Sequence, residues 1–292
     1  MNFKKIEVSD IEIIRPFYNK VISRTCDFSV GGMFMWRKFY NMEYLVDGGV
    51  MFSLLRDENG KVYYNLPLSD DIEAAIKECV RRWKPKDGSI SFCTIPEEYT
   101  EVFKRLYPSA DITHEPMYSD YMYNAEDIIA LAGKKYRSQR NQISQFMREY
   151  ENYSFKDIGE VEIEEVISFF KALTASQSAQ PLTGVVENEM VMEVLLNMKE
   201  YDMLGGVLTV DDKIVGFSLG ERIGDTLFTH IEKADRGYKG AYQMLTGEFA
   251  KRFAATAKFI NREEDMGDPG LKKAKEAYNP CCLLKKYTVE IF

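Results

Sequence analysis

The sequence predicts an α/β chain with short connections, and three observations carry that reading. Strand-length apolar runs alternate with helix-length amphipathic ones along all 292 residues. A three-strand meander stands out at 204–210, 213–222 and 226–231, with turns at Asp211-Asp212 and Gly224-Asp225. Hydrophobic residues make up 45% and charged residues 29%, the balance of a packed protein rather than a disordered one.

The elements follow in order. Ile11, Ile14, Phe17/Tyr18 and Val21/Ile22 form a helical pattern that leads to Cys26-Asp27-Phe28-Ser29. Strands at 44–46 and 50–55 flank the hairpin signal Asp47-Gly48-Gly49, and a third at 62–65 follows Asn59-Gly60. Ser69-Asp70 precedes a helix over 71–83, which ends before Lys84-Pro85. A strand at 90–94 leads through Pro96 to a helix ending near Pro108. A boundary between Pro108 and Pro116 divides the chain into domains 1–115 and 116–292.

After the boundary, Tyr118 to Tyr123 alternates as a strand does. A long helix follows from Glu126 to about Tyr150, with an interruption at Gly133. Its second half places Ile143, Phe146, Met147 and Tyr150 at i, i+3, i+4 and i+7. A strand at 153–158 and a helix at 163–173 come next. The small, polar segment 175–184 (ASQSAQPLTG) reads as a loop over a site, before a helix at 187–198. Beyond the meander, a loop at 235–240 opens a helix over 241–256. A strand at 259–261, a helix at 270–278 and a last strand at 283–291 close the chain. The two halves share a strand-helix vocabulary without a residue-level repeat.

Composition narrows the function classes. A net charge of −8 argues against a protein that coats DNA, while leaving room for a local basic patch that holds a phosphate. The five cysteines (Cys26, Cys79, Cys93, Cys281, Cys282) form no CxxC pair, so reduced, mostly buried thiols are expected rather than a disulfide framework. His114 and His230 lie far apart, and no metal site is expected. There is no signal-peptide pattern and no apolar run of membrane-spanning length, so the expected location is the cytoplasm. The oligomeric state stays open.

Three segments carry chemistry. Gly133 to Asn141 holds four cations and no acid; read as helix, it sets Lys134, Arg137, Arg140 and Asn141 on about one third of the circumference, beside Lys135. That ridge suits a phosphate or carboxylate, although a solvated helix face has the same composition. The second segment, Arg236-Gly237-Tyr238-Lys239-Gly240-Ala241-Tyr242, is a two-glycine loop opening a helix, which offers amides and a dipole to an anion. An ordinary turn reads the same way. In the third, Asn261 and the acidic run Glu263-Glu264-Asp265 leave a strand before a helix with Lys275 and Tyr278. Carboxylates there would take a proton from an attacking amine or bind an ammonium group; a solvated loop is the plain alternative. The candidate catalytic groups are Glu264, Asp265 and Tyr278. Candidate donor-binding groups are Lys134, Lys135, Arg137, Arg140, Asn141, Asn261 and Lys275.

Taken as a set, these segments resemble a bacterial family related to the C-terminal domain of phosphatidylglycerol lysyltransferases. The resemblance rests on Ser119-Asp120-Tyr121-Met122-Tyr123, Leu131-Ala132-Gly133-Lys134-Lys135, Arg140-Asn141-Gln142-Ile143, Phe146 and Gly240-Ala241-Tyr242-Gln243. It continues through Asn261 to Gly267, Gly270-Leu271, Lys275, Tyr278 and Pro280. It implies a standalone relative without the membrane-embedded half, built as two tandem acetyltransferase-like (GNAT) folds of the Fem-type branch. Each would be a mixed, mostly antiparallel sheet flanked by helices.

In such enzymes the second fold receives aminoacyl-tRNA, and transfer is direct. The resemblance thus implies an aminoacyl- or acyltransferase with a small or tRNA-linked donor. Acetyl-CoA or CoA is the cofactor on an alternative reading as an N-acyltransferase, and a silent anion-binding protein is a third. The usual Arg/Gln-x-x-Gly-x-Gly/Ala loop is departed from at Lys239.

Overall fold

A computed structural model describes residues 2–21, 23–57, 59–175 and 182–292. Contacts divide the chain into two units. The first comprises Met1–Asp120, Glu264–Gly267 and Leu283–Phe292; the second comprises Tyr121–Glu263 and Asp268–Cys282. A division read along the chain, at 115/116, has no way to express this interleaving.

The first unit contains, in chain order, β1 (Lys4–Lys5), α1 (Ile11–Tyr18), α2 (Val30–Trp36), β2 (Glu43–Asp47), β3 (Val50–Arg56) and β4 (Val62–Tyr64). Helix α3 (Ile72–Trp83), β5 (Ile90–Pro96), α4 (Glu97–Leu106) and β6 (Asp111–His114) follow. Local chemistry accounts for most of these. Gly48 and Gly49 both take positive φ, as a two-residue hairpin turn requires, and they close Asp47 against Val50. Asp71 caps α3 by accepting from the Ala74 amide at 3.0 Å, and Ala75, Ile76 and Cys79 form the helix's buried stripe.

The second unit contains β7 (Asp120–Asn124), α5 (Ala125–Ala130), α6 (Arg137–Glu149), β8 (Tyr153–Asp157), α7 (Ile163–Ala175), α8 (Leu182–Leu196) and α9 (Met198–Tyr201). The meander β9 (Leu204–Val210), β10 (Lys213–Ile223) and β11 (Thr226–Ala234) comes next. It is followed by α10 (Ala241–Phe253), β12 (Phe259–Asn261), α11 (Pro269–Glu276), β13 (Cys282–Leu284) and β14 (Lys286–Ile291). Strand β14 pairs in the first unit's sheet. The long helix expected over 126–150 is two helices. Leu131 and Gly133 take positive φ between them, and a 3-10 turn at Lys134–Tyr136 intervenes. The loop expected over 175–184 falls largely on 176–181, outside the described residues; helix α8 already begins at Leu182.

Both sheets have seven strands and one plan. The first runs β1-β2-β3-β4-β5-β14-β6 and the second β8-β9-β10-β11-β12-β7-β13. In each, four antiparallel strands lead to a parallel pair (β4 with β5, β11 with β12). The next position holds a strand from the other half of the sequence: β14 beside β5, and β7 beside β12, both antiparallel. The last strand expected at 283–291 is thus two strands serving two sheets. The architecture is a tandem GNAT-like fold.

The cores are rich in Tyr and Phe. Phe34, Phe52, Phe92, Phe103 and Val289 are fully buried in the first unit; Tyr123, Tyr136, Leu227, Phe249 and Ile260 pack in the second. All five cysteines are free, and of these Cys26 and Cys79 are buried while Cys281 and Cys282 are exposed.

Candidate functional site

In the first unit a cavity of about 320 Å³ opens where β4 and β5 part. Their parallel pairing covers only Tyr63 with Ser91 and Tyr64 with Phe92; beyond it, Asn65 and Leu66 on one side and Cys93 and Thr94 on the other line the space. Thr94 holds φ +52, unusual for a β-branched residue, and the register of β5 against β14 shifts beside it. Asn65 Nδ2 donates to Thr94 Oγ1 at 3.1 Å, which helps fix that conformation. Such strain is characteristic of sites where backbone geometry serves a ligand.

The cavity ends on a charged cluster. The Lys286 ammonium, 3% exposed, lies 2.8 Å from Asp120, 2.9 Å from Asp27 and 3.1 Å from Glu264. Local structure sets each partner. A 3-10 turn at Cys26–Phe28 presents Asp27, and its Cys26 amide donates to Asp120 Oδ2 at 2.6 Å. Ser29 then caps α2 by accepting from the Gly32 amide at 2.9 Å. Gly32 packs so closely on this turn that a Cβ would overlap the Cys26 carbonyl oxygen.

Burial and the neighbouring carboxylates Glu264 and Asp120 push the Asp27 carboxyl up to about 6, against the opposing pull of Lys286. Burial, then Asp120 and Glu264, raise the Cys26 thiol well above its usual range, so it is no nucleophile. Lys286 is raised as well, because its carboxylate partners outweigh burial. Donor atoms of Cys26, Asp120 and Glu264 lie within 4.8 Å of one another, but the Lys286 ammonium contacts all three, so the cluster is an ion-pair network rather than a metal centre.

In the second unit, β11 and β12 also part after three pairs, Thr226 to Phe228 with Phe259 to Asn261. Here charged side chains span the gap. Arg262 pairs with Glu232, which also accepts from Thr246 Oγ1 at 2.8 Å. His230 is buried between Glu263 at 2.6 Å and Glu221 at 2.9 Å. Burial opposes its protonation, but the two carboxylate hydrogen bonds win and raise its pKa to about 10. His230 is thus a packed ion-pair residue.

The expected site residues divide between the units. Glu264 lines the first unit's cavity. Asp265 is buried beside it in sequence, and its Oδ1 accepts from the Gly267 amide at 2.8 Å. Tyr278 is buried in the second unit with the Arg262 guanidinium 4.9 Å over its ring. Asn261 is buried there too, accepting from the Glu263 amide at 2.6 Å, and Lys275 lies 5.8 Å over the Tyr121 ring.

The basic ridge is not one helix face, because α6 starts only at Arg137. Arg140 donates to the Leu131 carbonyl and, at 2.7 Å, to that of Gly133, closing the break between α5 and α6. Lys135 pairs with Asp127 at 3.1 Å. Lys134, Arg137 and Asn141 are exposed.

In the two-glycine loop Arg236 and Lys239 are exposed, and Gly240 has φ +84 against the Gln142 carbonyl. The amides of Gly237, Tyr238 and Ala241 are bonded within the loop, to Asp235 Oδ1, the Asp235 carbonyl and the Tyr238 carbonyl. Tyr242 is half-buried. Sequence reasoning missed Asp27, Asp120 and Lys286 as a group. Its accessible signals were a lone Asp in the Cys26–Ser29 segment and Asp120 within the Ser119–Tyr123 motif.

Known proteins agree with this fold. The family model described as phosphatidylglycerol lysyltransferase, C-terminal, matches residues 19–290. A conserved protein of unknown function from Bacteroides thetaiotaomicron is 28% identical, with a TM-score of 0.87 and 100% of each chain covered. L-PGS from Bacillus licheniformis superposes with a TM-score of 0.65 at 14% identity, covering 96% of this chain and 91% of that one. FemX gives 0.59 at 8% identity, with 99% and 97% covered. At those identities the latter two speak for the fold alone. An uncharacterized protein of Mycoplasmoides gallisepticum is 23% identical over 182 residues, and the match spans 62% of this chain but only 58% of that relative's length. No helix among the described residues is long and apolar enough to cross a membrane.

Proposed function

The chain belongs to the phosphatidylglycerol lysyltransferase C-terminal family, and from that premise we propose that it transfers an aminoacyl or acyl group to an amine or hydroxyl acceptor. The donor would be an aminoacyl-tRNA or a thioester. One observation carries the reading: the Asp27 carboxylate, a quarter exposed, faces a largely apolar cavity with its pKa held at about 6. A base of that strength is mostly ionised at neutral pH yet still accepts a proton in the transition state.

The acceptor nitrogen or oxygen attacks the donor's carbonyl carbon and passes its proton to Asp27. The bond from that carbon to the ribose oxygen or thiol sulfur then breaks, and the leaving group takes the proton. Glu264, on the same cavity, helps set the local charge. Against acyl-CoA stand the ion pairs filling the β11–β12 gap and the loop amides already bonded near Gly240.

The test is a transfer assay with aminoacyl-tRNA and acyl-CoA donors. Asp27→Asn should lower kcat by about 100- to 10,000-fold, the usual contribution of a general base, while the fold persists. A variant within tenfold of the parent would remove Asp27 from the chemistry. Binding of either donor without turnover would replace the transferase reading with a silent binding protein.

A further inference from the structure

We infer that the first unit's cavity takes a protonated amine carried on an apolar or aromatic body. This deepens the transfer reading by naming the substrate chemistry at its cavity, although the binding itself requires no turnover.

The lining sets the sign of the charge. Among the described residues, four carboxylates border the cavity (Asp27, Asp57, Glu115 and Glu264), against one cation, Lys286. That cation is already engaged with Asp27, Asp120 and Glu264 at 3.1 Å or less. A phosphate, carboxylate or pyrophosphate would enter against this field with no unengaged cation among the lining residues to meet it.

Asp27 supplies the recognition point. Its Oδ2 is buried 2.9 Å from the Lys286 ammonium, while the side chain as a whole keeps a quarter of its surface exposed beside the cavity. A desolvated carboxylate in this state gains most from a ligand N–H donor carrying positive charge. The rest of the wall is mostly apolar and aromatic, with Trp36, Tyr40, Tyr63, Tyr118 and Tyr287 among its rings and a few neutral polar groups such as Ser53 and Asn65. Rings of this kind suit both the hydrophobic body of an amine and, through their faces, its cationic head. Asp57 is less available, because its Oδ1 accepts from the Asn59 and Lys61 amides at 2.9 and 2.8 Å.

The ammonium has two sources in a transfer reaction: the amino group of an aminoacyl donor, or an amine acceptor, which gives up a proton to Asp27 before its nitrogen attacks. Calorimetry and thermal shift with three isosteres decide the class: 2-phenylethylamine, 2-phenylethanol and 3-phenylpropionate. The amine should bind about tenfold or more tightly than the alcohol, as loss of a charge-assisted hydrogen bond implies, and the carboxylate should not bind. Asp27→Asn should abolish the amine's advantage.

Phenylalaninamide distinguishes the sources. Tighter binding than 2-phenylethylamine assigns the site to the aminoacyl group, and equal or weaker binding assigns it to an acceptor amine. Alcohol or carboxylate binding as tight as the amine's would overturn the inference. Turnover with a hydroxyl acceptor and no amine affinity would leave the transferase reading standing and this inference refuted; amine binding without turnover would do the reverse.

Discussion

Lys286→Met keeps a similar side-chain length while removing the charge that three carboxylates share. The native ammonium is 3% exposed, with Asp120, Asp27 and Glu264 at 2.8, 2.9 and 3.1 Å. Removing one partner of a buried ion pair costs about 3–5 kcal/mol, since the partners are left uncompensated. Protonation offers a partial escape. Asp27, already raised to about 6, rises further once the ammonium is gone. A carboxyl whose folded pKa lies above its unfolded value adds stability at low pH and loses it as pH rises through the folded value. The variant's deficit should therefore be small near pH 5 and approach the full cost near pH 8, conditions that bracket the value of about 6. Urea unfolding at both pH values, followed by tryptophan fluorescence, measures it, because Trp36 lines the cavity. A deficit below about 1 kcal/mol, the range of exposed pairs, or one indifferent to pH, would mean that the ammonium does not hold the three carboxylates together.

Other outcomes follow from neighbouring features. The His230 pKa is raised to about 10 by Glu221 and Glu263, so its contribution is complete below the unfolded value near 6.5 and is lost as pH rises through 10. His230→Gln should thus flatten the pH dependence of stability between those values, read by thermal denaturation across the range. Arg140→Ala should cost about 1–3 kcal/mol, because it strips the Leu131 and Gly133 carbonyls of a charged donor, and should leave cavity binding of 2-phenylethylamine unchanged. Gly32→Ala should cost several kcal/mol, the added methyl meeting backbone rather than a movable side chain. Removing residues 285–292 takes away β14 with its buried Val289 and Ile291 and should unfold the first sheet, seen as rapid proteolysis of that unit.

Local grammar made much of the fold legible. Paired turn residues marked the hairpins at Gly48-Gly49 and Asp211-Asp212, and amphipathic periodicity marked α3 and the second half of α6. Helix α2 escaped notice because Val30 to Met35 are all buried, which erases any polar face, and two glycines lower its propensity. Edge strand β6 is short and largely uncovered, with no apolar run to announce it. As a candidate catalytic group the site was legible at Glu264, within its acidic run, and Asp120 stood out only inside the Ser119–Tyr123 motif. Asp27 and Lys286 are ordinary residues until the fold brings them together, and Cys26 and Lys286 meet across 260 positions of sequence. No motif has that reach.

The insertion of β14 into the first sheet bears on how the molecule is made. On one side β5 pairs with β4 close by in sequence; on its other side it waits for a strand whose Tyr287 lies 190 residues beyond Glu97. During synthesis that edge stays unpaired while the whole second unit is translated, a long exposure for a strand carrying buried Phe92 and Ile95. Lys286 begins the strand that ends the wait, so closure of the first sheet and completion of its charged cluster are one late event. A nascent chain would carry an open, acidic pocket until β14 arrives.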